Sequence, residues 1–113
     1  MIKGIGTDVV AIERISLEEA FVKRILTTEE QQLFFDITNT ERRQDFLAGR
    51  FAAKEALMKA LGTGIGRSSF QDFNIIPNEY GQPLCTIPGV QVHLSISHDA
   101  GVAVAVAVIE HDH

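Results

Sequence analysis

The segment 39–62 constrains this chain more than any other. No proline interrupts it, and alanine, leucine, lysine and arginine dominate it. Asn39-Thr40 offers a start, and Gly62 stands where a C-cap glycine belongs. A helix of that length runs about 35 Å at 1.5 Å per residue, so the rest of the chain must be arranged against it. The whole chain has 113 residues and no Pro/Ser-rich linker, which predicts one domain, 1–113. Apolar residues make up 45% and charged residues 22%, the balance of a packed globular chain rather than a disordered one.

Upstream of the helix, 2–12 reads as a strand. Gly4 and Gly6 inside it permit a close backbone approach or a bend, and the acidic Asp8 stands among apolar neighbours. Ser16 with Glu19, and Thr28 with Gln31, have capping-box spacing. They open two short helices, one through Phe21 and Ile25 and the other through Leu33 and Phe34. Downstream the periodicity changes. Residues 72–76 and 83–87 flank an Asn78-Glu-Tyr-Gly turn and read as a hairpin. Val92, Leu94 and Ile96 alternate with His93, Ser95 and Ser97, and Asp99-Ala-Gly101 turns the chain into 102–109. That last run of Val and Ala reads as a strand covered on both faces. One strand, then helices, then strands joined by tight turns predicts an α+β fold, with a mainly antiparallel sheet packed against one long helix and shorter helices.

The net charge of −5 argues against a general nucleic-acid binder, which needs an excess of Lys and Arg. No apolar run is long enough to cross a membrane or to serve as a signal peptide, and the single Cys85 cannot form an internal disulfide. A reducing cytoplasm fits that composition. Two glycine-rich stretches fail as nucleotide loops. Gly4-Ile-Gly6 has Val9 where a third glycine is needed, and Gly62-Thr-Gly64-Ile-Gly66 follows a helix and runs into Arg67, so it reads as a cap and turn. The closing His111-Asp112-His113 is set aside as a metal clip because chain ends commonly fray.

Charge on the long helix is more informative. Arg50 and Lys54 lie one turn apart, as do Glu55 and Lys59, giving a basic edge beside a carboxylate paired with a lysine. The helix alone reads equally as a solvated face with one Glu-to-Lys pair contributing roughly 0.2–0.5 kcal/mol. Asp8 is harder to dismiss, because a carboxylate inside a strand requires a partner. Two accounts stand open. Asp8 either caps a turn or pairs with Arg14, or it joins Glu55 in holding magnesium, a hard cation that takes one or two carboxylates and fills its other positions with water and phosphate oxygens. His98 closes its strand at a sheet end, whereas His93, an odd number of residues away, projects from the opposite face.

Three blocks carry a family resemblance: Gly6-Thr-Asp8-Val-Val-Ala-Ile12-Glu-Arg14-Ile15, then Phe46-Leu-Ala-Gly-Arg50-Phe-Ala-Ala-Lys54-Glu55-Ala-Leu-Met-Lys59-Ala-Leu-Gly62-Thr-Gly64, then Ser95-Ile-Ser97-His98. Together they resemble the small bacterial holo-acyl-carrier-protein synthases among the phosphopantetheinyl transferases, and their order and spacing account for nearly the whole chain. The resemblance implies the phosphopantetheinyl transferase fold and attack of an acyl carrier protein serine on the β-phosphate of coenzyme A, releasing adenosine 3′,5′-bisphosphate. It implies Asp8 and Glu55 as magnesium ligands, and Lys59 as the group that meets phosphate charge. It implies Arg42, Arg50, Gly62 and His98 in coenzyme A binding, and Arg14, Phe21 and Arg24 in docking the carrier protein. It also implies a homotrimer with active sites at subunit boundaries. The general base stays unassigned, since Glu55 is a weaker base when it holds a metal. The competing readings are a non-catalytic module that binds a Mg-nucleotide or coenzyme A for regulation, and a structural oligomer.

Overall fold

The computed structural model describes residues 1–62 and 69–111, so Gly64, Gly66, Arg67 and the final Asp112-His113 lie outside the described residues. In chain order, strand β1 (Ile2–Ala11) leads through a 3₁₀ turn (Ile12–Arg14) into helices α1 (Glu19–Ile25), α2 (Thr28–Asp36) and α3 (Thr40–Leu61). A second 3₁₀ turn (Phe70–Asp72), two short strands, β2 (Ile76–Pro77) and β3 (Pro83–Leu84), and two long ones, β4 (Val90–Asp99) and β5 (Val102–His111), complete it. The main sheet is antiparallel in the order β1-β5-β4, and β2 pairs with β3. The expected α+β architecture is therefore present.

α3 runs between the caps its sequence suggests. Asn39 Oδ1 accepts from the Arg42 N–H at 2.9 Å, and Gly62 ends the helix at φ 65°. Its alanine-rich face makes the contact with the sheet unusually close. Ala52, Ala53, Ala56 and Ala60 bury against Ala105, Ala107 and Ile109 of β5. A methyl group added at Gly4 would lie 1.8 Å from the Ala60 carbonyl oxygen, and one at Gly6 would lie 2.0 Å from that of Ala56. The β1 glycines thus serve close approach, and only residues without a Cβ let strand and helix backbones meet at that distance.

The β4–β5 hairpin turns on Ala100 and Gly101, both at positive φ (51° and 81°), as a two-residue hairpin turn of the I′ kind requires. Along β5 the alanines face α3 and the valines face away. Cover on the second face, expected from the Val/Ala pattern, is missing among the described residues: Val106 is 40% exposed, and Ile5 and Val9 of the neighbouring β1 are 64% and 63% exposed. Since Ile5 pairs with Val108, Thr7 with Val106 and Val9 with Val104, these side chains form one continuous apolar surface.

Three local expectations are corrected. Ser16 does not cap α1. Its hydroxyl accepts from the Glu18 N–H two residues on, and the N-cap position falls to Glu18. α2 is capped by Thr27 rather than Thr28, in a capping box closed by Glu30. Residues 72–75 are not strand, because their backbone polar groups are engaged elsewhere: the Asp72 and Phe73 N–H groups close the 3₁₀ turn, Ile75 N–H donates to Glu30, and Ile75 C=O accepts from Arg50.

Candidate active site

β1 alternates, so Gly4, Gly6 and Asp8 share the face turned toward α3. The close glycine contacts bring Asp8 to the helix beside Lys59, whose Nζ donates to the Asp8 carboxylate at 3.2 Å and to the Thr7 carbonyl at 3.0 Å. Asp8 therefore pairs with Lys59 and not with Arg14. Glu55 lies one helical turn before Lys59. Burial pushes its carboxyl above the usual carboxylate range, the Asp8 charge pushes it further, and Lys59 opposes both. Among the described residues, two carboxylates that repel each other, with the half-exposed Lys59 bonded to Asp8, form a site short of positive charge. Both donors are hard oxygens, and among the described residues no cluster of three His, Cys, Asp or Glu side chains forms around them. That donor set fits magnesium, which keeps positions for water and phosphate.

Arg42, Arg50 and His98 line a different cavity, of about 310 Å³, between the first half of α3 and the end of β4. Arg50 lies over the Phe46 ring at 4.3 Å and donates to Ile75 C=O at 3.2 Å. Its Nε is buried without a hydrogen-bond partner, a guanidinium still able to take an anionic oxygen. Sequence reasoning missed Asp45 in this cavity, where its carboxylate stands 4.0 Å from His98 Nδ1. His93 lies apart, bonded to Glu110 at 2.5 Å. The structure does not bring this cavity to Asp8, Glu55 and Lys59 within one chain. Arg50 and Glu55 are five residues apart, about 140° around the helix. Gly62 caps α3 three residues beyond Lys59 and is not among the residues lining the cavity of Arg42, Arg50 and His98.

Arg14 is exposed on the first 3₁₀ turn. Phe21 packs its ring 6.2 Å from that of Phe51, and the Arg24 guanidinium lies 5.5 Å above Phe21. Arg24 also borders a cleft with Glu55, Met58 and Phe70, which places this basic and aromatic surface next to the carboxylate. Lys54 departs from expectation. It is fully buried and bonded to Glu30 at 2.5 Å, so Arg50 and Lys54 form no solvated basic edge.

The model of the 4′-phosphopantetheinyl transferase superfamily matches residues 4–107. The holo-[acyl-carrier-protein] synthase of Geobacillus kaustophilus is 53% identical to this chain, covering 97% of it and 90% of that protein. That of Staphylococcus epidermidis is 46% identical, covering 97% of each. Among solved structures, the holo-(acyl-carrier-protein) synthase from Bacillus anthracis, in complex with CoA (3′,5′-ADP), superposes with a TM-score of 0.92 at 43% identity and covers 99% of both chains. The Helicobacter pylori synthase in complex with coenzyme A gives 0.81 at 38% identity, over 94% of this chain and 99% of that one. The fold, the three sequence blocks and these relatives agree, and the chain belongs to the holo-[acyl-carrier-protein] synthase family of the 4′-phosphopantetheinyl transferases.

Proposed function

We propose that this chain transfers the 4′-phosphopantetheine arm of coenzyme A to a serine of apo-acyl carrier protein, with Asp8 and Glu55 holding a magnesium ion at the reacting phosphate. Family membership supports the transfer, and the named relatives are synthases, which disfavours a non-catalytic regulatory module. The observation that carries the location is the repelling Asp8–Glu55 pair, with Lys59 bonded to Asp8 and acting on Glu55 through its charge. In the reaction the serine Oγ gives up its proton, which ends on the departing phosphate or in solvent, and forms a bond to the β-phosphorus. The bond from that phosphorus to the bridging oxygen breaks, and its electron pair leaves on adenosine 3′,5′-bisphosphate.

When bound, magnesium supplies positive charge to phosphate oxygens. The chain's own groups do the rest. Lys59 has three N–H donors, two of them engaged by Thr7 C=O and Asp8, and it meets phosphate charge from the helix side. Arg42, Arg50 and His98 suit the phosphates of the adenosine end, where the unpartnered Arg50 Nε favours an anion. Arg14, Phe21 and Arg24 receive the acidic carrier protein, and local clustering of basic residues overcomes the negative net charge. Mass spectrometry of apo-carrier protein incubated with this protein, coenzyme A and magnesium tests the proposal. A gain equal to one phosphopantetheine supports it, and no gain with any of several carriers overturns it.

The uncovered face of Ile5, Val9 and Val106 supports a homotrimer, in which Asp8, Glu55 and Lys59 of one protomer meet the Arg42, Arg50 and His98 cavity of the next. Val9→Asp introduces a charge on that face and is expected to shift the light-scattering mass from trimer to monomer, with transfer lost in parallel and helical circular dichroism retained. An unchanged mass would remove this face from the interface. No helix among the described residues is long and apolar enough to cross a membrane, and we place the reaction in the cytoplasm with its carrier protein.

A further inference from the structure

Helix α1 has seven residues and no side-chain cap at its N-terminus, so it is too short to stand alone. It is held at its other end. Gln71 Nε2 donates to Lys23 C=O at 2.6 Å and to Leu26 C=O at 2.7 Å, and Lys54 Nζ donates to Ile25 C=O at 2.7 Å. The other two Lys54 protons go to Glu30 Oε1 at 2.5 Å and Phe70 C=O at 3.0 Å. Glu30 accepts in turn from Thr27 N–H at 2.8 Å and Ile75 N–H at 2.7 Å.

A buried ion pair is costly, and burial pushes the Lys54 ammonium below the usual lysine range while Glu30 opposes that shift. Apolar side chains at both positions would avoid the cost. They would also leave the carbonyls of Ile25 and Phe70 and the N–H groups of Thr27 and Ile75 without these partners in the interior. The ammonium's three donors and the carboxylate's two oxygens match that set of backbone groups.

The elements joined in this way serve separate parts of the proposed reaction. α1 carries Phe21 and Arg24, and α3 carries Glu55 directly after Lys54. Phe70, whose carbonyl Lys54 holds, stacks on Phe51 at 5.4 Å, and Phe51 in turn meets Phe21. We propose that Lys54 and Gln71 are positioning residues that clamp the C-terminal carbonyls of α1 and so set the carrier-protein surface at a fixed distance from Glu55. This rests on α1 being the docking element. Gln71 borders the cleft of Arg24 and Glu55 but not the cavity of Arg42, Arg50 and His98, so the adenosine end of coenzyme A, which supplies the binding contacts proposed there, lies outside its direct reach.

Gln71 is the residue to vary. It is exposed, whereas removing Lys54 leaves Glu30 charged, buried and unpaired and threatens folding. Gln71→Met is neutral and of similar length, so it deletes the donor without changing the charge that the carrier meets. The expected result is a rise of about tenfold in KM for the carrier protein, with KM for coenzyme A held within about twofold. Hydrogen exchange should quicken in α1 and not in α3. A contact that only stabilised the fold would lower the active fraction, and hence apparent kcat, with both KM values unchanged. That result, or an unchanged carrier KM, overturns the clamp. Arg24→Ala, measured in parallel, separates the two layers of the argument. A salt-sensitive rise in its carrier KM beside an unchanged Gln71→Met discards the clamp alone, and no rise in Arg24→Ala discards the docking surface and the clamp with it.

Discussion

Asp8→Ala is expected to abolish transfer, with kcat/KM falling by about three orders of magnitude, while the melting temperature holds or rises. The two effects separate because Asp8 contributes little to stability. Its carboxylate is 17% exposed and its ion-pair partner Lys59 is 51% exposed. A pair whose lysine is so open to water contributes about 0–1 kcal/mol. Against that, Asp8 repels Glu55 and helps to hold its carboxyl above the normal range, a cost that the alanine removes. Glu55→Ala is expected to behave alike, since either change leaves one of the two carboxylates proposed to hold magnesium. Steady-state rates at limiting magnesium and thermal melts on the same preparations provide the check. Near-normal rates at limiting magnesium would sink the metal assignment, and a collapsed melt would show that Asp8 serves the fold.

Gly6→Ala has the largest expected effect on the fold, a loss of about 3 kcal/mol or more of stability. The new methyl would lie 2.0 Å from the Ala56 carbonyl oxygen and 2.8 Å from the Ala60 nitrogen, both backbone atoms of α3. Neither can yield without moving the helix, and moving the helix carries Glu55 and Lys59 away from Asp8. Gly49→Ala is the natural contrast. Its methyl would meet only the Cγ2 methyl of Ile96, at 3.1 Å, a side-chain rather than a backbone atom, and alanine favours the helix, so a change within about 1 kcal/mol is expected. Denaturant melts of the two variants decide the matter. Equal losses would mean that the approach of β1 to α3 is not what demands glycine.

The parts of the fold legible in the sequence are those fixed by neighbours along the chain. Asn39, the proline-free run and Gly62 bound α3 at both ends, and the alternation in β4 with the Asp99-Ala-Gly101 turn gives the second hairpin. What could not be read depends on distant partners. Thr27 and Thr28 are equivalent locally. Thr27 is the cap because Glu30, three residues on, reaches back to it from a buried position shared with Lys54 and Ile75. Helical spacing makes Lys54 look solvated, and only the packing of α1, α2 and the second 3₁₀ turn around it encloses the charge.

The site divides along the same line. Glu55 and Lys59 are one turn apart by spacing alone. Asp8 belongs with them only because two glycines on β1 meet alanines on α3, a pairing suggested by the missing side chains but not by any local rule. Asp45 gave no signal, being one more charge in a charged first turn and a half until the hairpin delivers His98 opposite it. Gln71 likewise looks like a surface amide until its hydrogen bonds to α1 are seen.

The main sheet joins the two ends of the chain, because β1 pairs along its length with β5. On a ribosome the first strand therefore emerges long before its partner. The three helices and the β4–β5 hairpin can assemble from local contacts, whereas closing β1 onto β5 spans some hundred residues of chain and is the expected slow step in folding. Until it closes, an apolar strand carrying Ile5 and Val9 has an unpaired edge, the kind of surface on which nascent chains stick together. A message truncated before β5 thus yields more than an inactive fragment: it yields one whose exposed strand makes it a client for chaperones.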